Sequence, residues 1–217
     1  MITTIRSRVY FITPAETRTT SEIVELVRAA VQGGAGLIQY RVKGCPTSHM
    51  IQQAQALVRI TRPAHVPLII NDRVDVALAV GADGVHVGAE DMPPAFTRRL
   101  MGPHAIVGVT APELAQAHAA ERDAATYVSC GPIFASPTKP EKAPVGVLRL
   151  LRLREALSVP VCAIGGITEE TLPALAQANP SLVAVSSAIA QADDPRRTTR
   201  RLVELAEQYL PHLTFGP

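Results

Sequence analysis

The chain has 217 residues, 47% of them apolar and 18% charged, and its formal net charge is +2 with neutral histidines. This apolar content excludes an intrinsically disordered chain, and so small a charge gives no support to nucleic acid or an anionic membrane as the main partner. The length suits one domain, which at this size buries roughly 70% of the surface its unfolded chain exposes.

Short β-branched runs alternate with amphipathic stretches. The first predicted strand covers 9–13 and leads to a helix with Ile23, Leu26, Val27 and Ala30 on one face. Gly33, Gly34 and Gly36 turn the chain into a strand over 36–41, followed by a helix striped with Met50, Ile51, Ala54, Leu57 and Val58. Strands over 68–71 and 84–87 come next, the second after the turn at Gly81 to Gly84, and Pro93-Pro94 opens a short helix. Strands over 106–109, 127–130, 161–164 and 182–185 alternate with weaker helical stretches over 114–120, 147–157 and 171–178. Asp194-Pro195 predicts an N-cap and first helical residue for a last helix carrying Leu202, Leu205, Ala206 and Tyr209. Most strands are continuous apolar runs, as expected of a parallel sheet covered on both faces. Eight strand–helix units predict a single α/β domain over 1–217. The prediction is a closed (β/α)8 TIM barrel over about 8–210 with a short tail over 211–217. A doubly wound open sheet is the alternative; no GxGxxG opens the first helix, which counts against its dinucleotide-binding form.

Cys45, Cys130 and Cys162 show no CxxC spacing. They predict free thiols, packed inside apart from Cys45, and a cytoplasmic compartment. No run approaches the ~20 apolar residues of a membrane span, and the run from Val9 to Ile12 is too short for a secretory segment. The sequence is compatible with a homo-oligomer without specifying one.

Barrel chemistry sits where strands end. After the second strand, Gln39, Arg41 and Lys43 are spaced by two and so share a face; two cations there suit a phosphate or diphosphate, the alternative being a solvated strand end. Asp72 and Asp91 follow adjacent strands on the same rim and suit a shared Mg²⁺, a hard ion that takes oxygen ligands. Their alternative roles are helix caps. Asp83 and Asp123 precede strands and belong to the opposite rim. His86, inside the fourth strand, reads as a hydrogen-bonded core residue, and no histidine has metal-type spacing. The Pro-rich loop after the sixth strand brings Ser136, Thr138 and Lys139; such loops close over substrates, and Lys139 suits a leaving group's charge. Gly165-Gly166 and Ser186-Ser187, after the seventh and eighth strands, suit a monophosphate. Glu169 and Glu170 would repel an anion there, which moves it toward Gly166 and Ser187. Two anion sites in one mouth suit a transferase that joins a diphosphate-activated molecule to a phosphorylated acceptor.

At these residues the sequence resembles the thiamine phosphate synthase family over almost its whole length. The marks are Gln39-x-Arg41-x-Lys43, Asn71-Asp72-Arg73-Val74-Asp75, Gly84-Val85-His86-Val87-Gly88-x-Glu90-Asp91, Gly131-Pro132-Ile133-Phe134, Thr138-Lys139, Ala163-Ile164-Gly165-Gly166-Ile167 and Ser187-Ala188-Ile189. The resemblance implies a TIM-barrel enzyme that couples hydroxymethylpyrimidine diphosphate to hydroxyethylthiazole phosphate and releases pyrophosphate. It implies Mg²⁺ on Asp72 and Asp91. It implies diphosphate on Arg41, Lys43, Asn71, Thr110 and Lys139, with Arg41, Lys43 and Lys139 catalytic, and pyrimidine oriented by Gln39. It implies thiazole phosphate on Ser136, Thr138, Gly166, Ser186 and Ser187. It implies a dissociative route, which needs leaving-group stabilisation more than a strong base. The chain departs from the family pattern at Ala89, where Gln is common, at Thr110-Ala111-Pro112, and at Ser186. The rival readings are a thiazole tautomerase of the same superfamily and a non-catalytic phosphate-binding barrel. Pro132 stands where the tautomerases carry a proton-moving His.

Overall fold

The computed structural model describes residues 5–16, 18–136 and 143–210. The chain runs β1 (Val9–Ile12), α1 (Thr20–Gln32), β2 (Leu37–Tyr40), α2 (Thr47–Thr61), β3 (Leu68–Asn71), α3 (Val74–Val80), β4 (Gly84–Val87), α4 (Pro94–Met101) and β5 (Ile106–Thr110). It continues with α5 (Leu114–Arg122), β6 (Tyr127–Cys130), α6 (Gly146–Ala156), β7 (Val161–Ile164), a 3₁₀ turn (Leu172–Gln177), β8 (Leu182–Val185), α7 (Ser187–Ala190) and α8 (Pro195–Tyr209). Each strand pairs in parallel with the next, and β8 returns to β1, with Phe11 opposite Val185. The barrel is therefore closed, and the open doubly wound alternative falls.

Closure buries both faces of every strand, which is why the strands read as continuous apolar runs. One face lines the barrel interior, with Tyr10, Leu37, Ile69, Ile106, Tyr127 and Leu182; the other packs on the helices, with Phe11, Ile38, Ile70, Val107, Val128 and Val183. The helices form where the sequence caps them. Thr19 and Glu22 close a capping box ahead of α1, and the Asp194 carboxylate accepts from the Arg197 N–H at 2.9 Å ahead of α8. The helix predicted over 171–178 is instead the 3₁₀ turn. Pro173 removes one donor, and i to i+3 bonds close the segment, as from Ala174 N–H to the Thr171 carbonyl at 3.1 Å and from Ala178 N–H to the Leu175 carbonyl at 3.0 Å.

The rim at the strand N-termini is held by structural carboxylates. Asp83 accepts from the Leu68 N–H at 2.8 Å, as its place before a strand predicted. Glu121 accepts from the Ser158 and Val159 N–H groups at 2.7 and 3.2 Å, and the Ser158 bond is the main reason its carboxyl is held below the usual range. Its stabilisation is complete above the unfolded glutamate value and is lost as pH falls through the lower native value. Glu121→Ala is expected to cost about 1 kcal/mol at neutral pH. In urea titrations the difference from the parent protein should shrink as the pH is taken below ~4.

Candidate active site

The inward positions of several strands step from apolar to polar toward their C-terminal ends. Leu37 is followed by Gln39, Ile69 by Asn71, Tyr127 by Ser129, and Leu182 by Ala184 and Ser186. The result is a cavity of about 160 Å³ at the barrel mouth, lined by both apolar and polar residues. Gln39, Arg41, Asn71, Thr110, Ser136, Gly166, Ser186 and Ser187 all line it. Thr138 and Lys139 lie outside the described residues.

On one side of the mouth, Thr13 fixes Arg41. The buried Thr13 hydroxyl donates to the Arg41 carbonyl at 2.9 Å and accepts from its N–H at 2.8 Å, so the backbone of Arg41 is held although β2 has ended. Lys43, two residues further, reaches the neighbouring stave and donates from Nζ to Oδ2 of Asp72 at 2.5 Å. Asp72 has a positive φ of 63°, and its N–H donates to the His86 carbonyl at 2.8 Å. Such a backbone is uncommon outside glycine and concentrates at functional sites. Neither alternative cap forms: Arg73 occupies the N-cap of α3 and Pro93 that of α4, and neither helix has a side-chain cap.

The Asp91 carboxylate turns back to accept from the Gly88 N–H at 2.7 Å. Burial, and then the Asp72 carboxyl beside it, raise the Asp91 carboxyl above the usual range, against the opposing pull of the Gly88 bond. Two partly buried carboxylates thus sit together with Lys43 as the cation at hand. An all-oxygen donor set with this excess of negative charge fits a hard divalent cation. Among the described residues no cluster of three or more His, Cys, Asp or Glu could hold a metal, so such an ion would keep waters or take ligand oxygens.

The opposite wall is made of glycine and serine. Gly166 has φ 66° and, with Gly165, follows β7; Ser187 opens α7 after β8. Glu169 and Glu170 do not line this wall. Glu169 lies 4.0 Å from Arg201 on α8, and Glu170 accepts from the Thr168 hydroxyl at 2.5 Å, so the repulsion expected from their position in the sequence is turned outward.

The sequence did not single out Tyr10, which lines the cavity, or Tyr127, which joins it to His86. His86 bonds to the hydroxyls of Tyr127 and Thr110, each at 2.9 Å, which bears out its reading as a hydrogen-bonded core residue but places it in the cavity wall as well. Tyr10 lies between Tyr127 (2.9 Å) and Gln39 (2.5 Å). The signal for these residues was parity: His86 lies two residues after inward Gly84, and Tyr10 two before inward Ile12. The cysteines are free as predicted; Cys130 and Cys162 are buried, Cys45 is partly exposed, and Cys162 also lines the cavity. Among the described residues no helix is long and apolar enough to cross a membrane.

A closed eight-stranded barrel with a polar mouth, a carboxylate pair and basic side chains on one rim, and a glycine–serine wall opposite, has the layout of a (β/α)8 enzyme, whose active site lies at the C-terminal ends of the strands. The sequence profile described as thiamine monophosphate synthase matches residues 9–189. A thiamine-phosphate synthase of Roseiflexus castenholzii is 45% identical over 204 residues, covering 94% of this chain and 90% of the relative. One of Chloroflexus aurantiacus is 46% identical over 196 residues, 90% of each chain. The structure of a thiamine phosphate pyrophosphorylase from Pyrococcus furiosus superposes with a TM-score of 0.85 at 35% identity, over 95% of this chain and 98% of the other. The chain belongs to the thiamine monophosphate synthase family, transferases of thiamine biosynthesis.

Proposed function

We propose that the protein is a Mg²⁺-dependent thiamine phosphate synthase that transfers the hydroxymethylpyrimidine group from its diphosphate to hydroxyethylthiazole phosphate. The observation that carries this reading is the meeting of Asp72, Asp91 and Lys43 on the rim beside Arg41 and Asn71. Such a rim binds a diphosphate and stabilises it as it leaves. Arg41 offers a planar fork of donors and Lys43 a point charge, while Asn71 and Thr110 offer neutral polar groups to the remaining oxygens. Mg²⁺ on Asp72 and Asp91 supplies charge neutralisation to the departing pyrophosphate. Gln39 holds the pyrimidine between floor and rim. Gly166, Ser136, Ser186 and Ser187 hold the thiazole phosphate across the cavity. The C–O bond to the diphosphate breaks, the thiazole nitrogen takes the exocyclic pyrimidine carbon, and pyrophosphate carries away the electron pair. Positioning and leaving-group stabilisation do most of this chemistry, and no general base is required.

The test is to mix the purified protein with both substrates and measure thiamine phosphate and pyrophosphate, with and without EDTA. Product is expected in equal amounts with pyrophosphate, and EDTA should abolish turnover until Mg²⁺ is restored. Absence of product, or full activity in EDTA, would overturn the assignment.

A further inference from the structure

A row of hydrogen bonds crosses the cavity floor and connects the two residues proposed to touch opposite ends of the pyrimidine diphosphate. Gln39 Nε2 donates to the Tyr10 hydroxyl at 2.5 Å. The Tyr10 and Tyr127 hydroxyls lie 2.9 Å apart, and Tyr127 lies 2.9 Å from Nδ1 of His86. Nε2 of His86 lies 2.9 Å from the Thr110 hydroxyl, which also accepts from Ser129 at 3.4 Å. Tyr10 and Tyr127 are 1% and 0% exposed and His86 is 9% exposed. Burial raises both phenols, so each keeps its single proton.

Two orders of donors and acceptors fit the row, and the Gln39 Nε2–H bond to Tyr10 selects the first. The Tyr10 oxygen accepts from Gln39, and its own proton has the Tyr127 oxygen as acceptor. In that order the Tyr127 proton goes to Nδ1 of His86. A neutral imidazole that accepts at Nδ1 carries its proton on Nε2 and donates it to Thr110. The Thr110 oxygen thus receives two hydrogen bonds, and its own proton is left for the cavity. At the other end, Gln39 has committed an N–H to Tyr10 and presents Oε1. The reverse order would need the Gln39 amide turned over: Gln39 would accept through Oε1, Nδ1–H of His86 would donate to Tyr127, and Thr110 would donate to Nε2. The two orders give the ligand opposite polarity at both ends.

We propose that the buried chain Gln39–Tyr10–Tyr127–His86–Thr110 is a positioning relay. It fixes Gln39 Oε1 as an acceptor and the Thr110 hydroxyl as a donor, so that an amino-bearing pyrimidine and its diphosphate fit in one orientation. The inference rests on the synthase reading for the identity of the ligand. It assigns Tyr10, Tyr127 and His86 no contact with reacting atoms; they act through the residues at the ends. The packing leaves the relay little freedom. A Cβ at Gly108 would collide with the Tyr127 ring and hydroxyl and would come within 2.5 Å of Nδ1 of His86, so only glycine admits this arrangement on β5.

Two measurements test it. In ¹⁵N-labelled protein, long-range ¹H–¹⁵N correlation spectra read the imidazole tautomer directly. His86, assigned through its backbone, should show the Nε2–H form at neutral pH; an Nδ1–H or doubly protonated ring overturns the relay. In steady-state kinetics, Tyr127→Phe keeps the ring and the fold but cuts the chain at a residue that touches no substrate. KM for the pyrimidine diphosphate should rise by about tenfold, with KM for the thiazole phosphate changed by less than about twofold. Unchanged constants, or equal changes in both, would reduce the row to a structural role and overturn the proposal. A protein that makes no thiamine phosphate would sink the synthase reading, while the tautomer still decides the direction of the relay.

Discussion

Replacing Asp91 by Asn is expected to lower kcat by about three orders of magnitude, on the order of 4 kcal/mol of transition-state stabilisation, while thermal stability stays within about 1 kcal/mol of the parent. The two effects separate because the carboxylate has two jobs. Its Oδ2 accepts the Gly88 N–H and closes the turn after β4, and an Asn carbonyl oxygen can do the same. Its charge does the opposite of stabilising the fold. The Asp91 carboxyl is raised, by burial first and by Asp72 next, so the native protein holds its proton more tightly than the unfolded chain does. Stability is therefore lost as pH rises from the unfolded value through the native one, and a neutral Asn does not suffer that loss. The proposed cation between Asp72 and Asp91 would offset that cost. The Mg²⁺ concentration giving half-maximal rate should rise by at least about tenfold in the variant. Activity and melting temperature falling in step would instead make Asp91 a turn-closing residue and nothing more.

The barrel was legible because its causes are local and repeated. Strands buried on both faces must be apolar throughout, and the intervening helices carry their caps in the sequence, as at Thr19-x-x-Glu22 and Asp194-Pro195. The one mistaken helix lies between β7 and β8, where Pro173 and the shortness of the segment decide its winding and hydrophobic spacing says little. The rim was legible for a similar reason. In a parallel barrel the residue just past a strand is at the mouth, so Arg41, Asn71, Asp72 and Ser187 could be placed once the strand ends were known. The direction of a side chain past the strand end was less accessible. The helix-capping alternatives for Asp72 and Asp91 were settled only in the structure, where Arg73 and Pro93 hold the N-cap positions and Asp91 turns back to Gly88. The floor was hidden for a different reason. Tyr10, His86 and Tyr127 come from strands remote in sequence, and each alone reads as core; what makes them a set is the closing of β1, β4 and β6 round one space.

Gly166→Ala should separate the two halves of the mouth in the other direction. Gly166 has a φ of 66°, which an alanine adopts at a cost of about 1 kcal/mol. Its new methyl would also meet the Ala135 carbonyl oxygen, and the Phe134 Cβ at 2.7 Å. Both neighbours belong to the segment after β6 that brings Ser136 to the cavity. One of these atoms is backbone, so the collision cannot be relieved by turning a side chain. The segment must move, and Ser136 moves with it. A stability loss of about 2–3 kcal/mol is expected, read as a shift in the urea midpoint. KM for the thiazole phosphate should rise by about a hundredfold, because the glycine backbone and the Ser136 hydroxyl are displaced together. KM for the pyrimidine diphosphate should change by less than about threefold, since Asp72, Asp91, Lys43 and Arg41 are anchored through β2, β3 and β4, away from the disturbed loop. Equal loss for both substrates would mean that the two anion sites share this wall, and the assignment of the monophosphate to the β7–β8 side would fall. Loss confined to the thiazole phosphate would locate the acceptor across the cavity from the leaving group, the arrangement in which the thiazole nitrogen can meet the pyrimidine carbon as pyrophosphate departs.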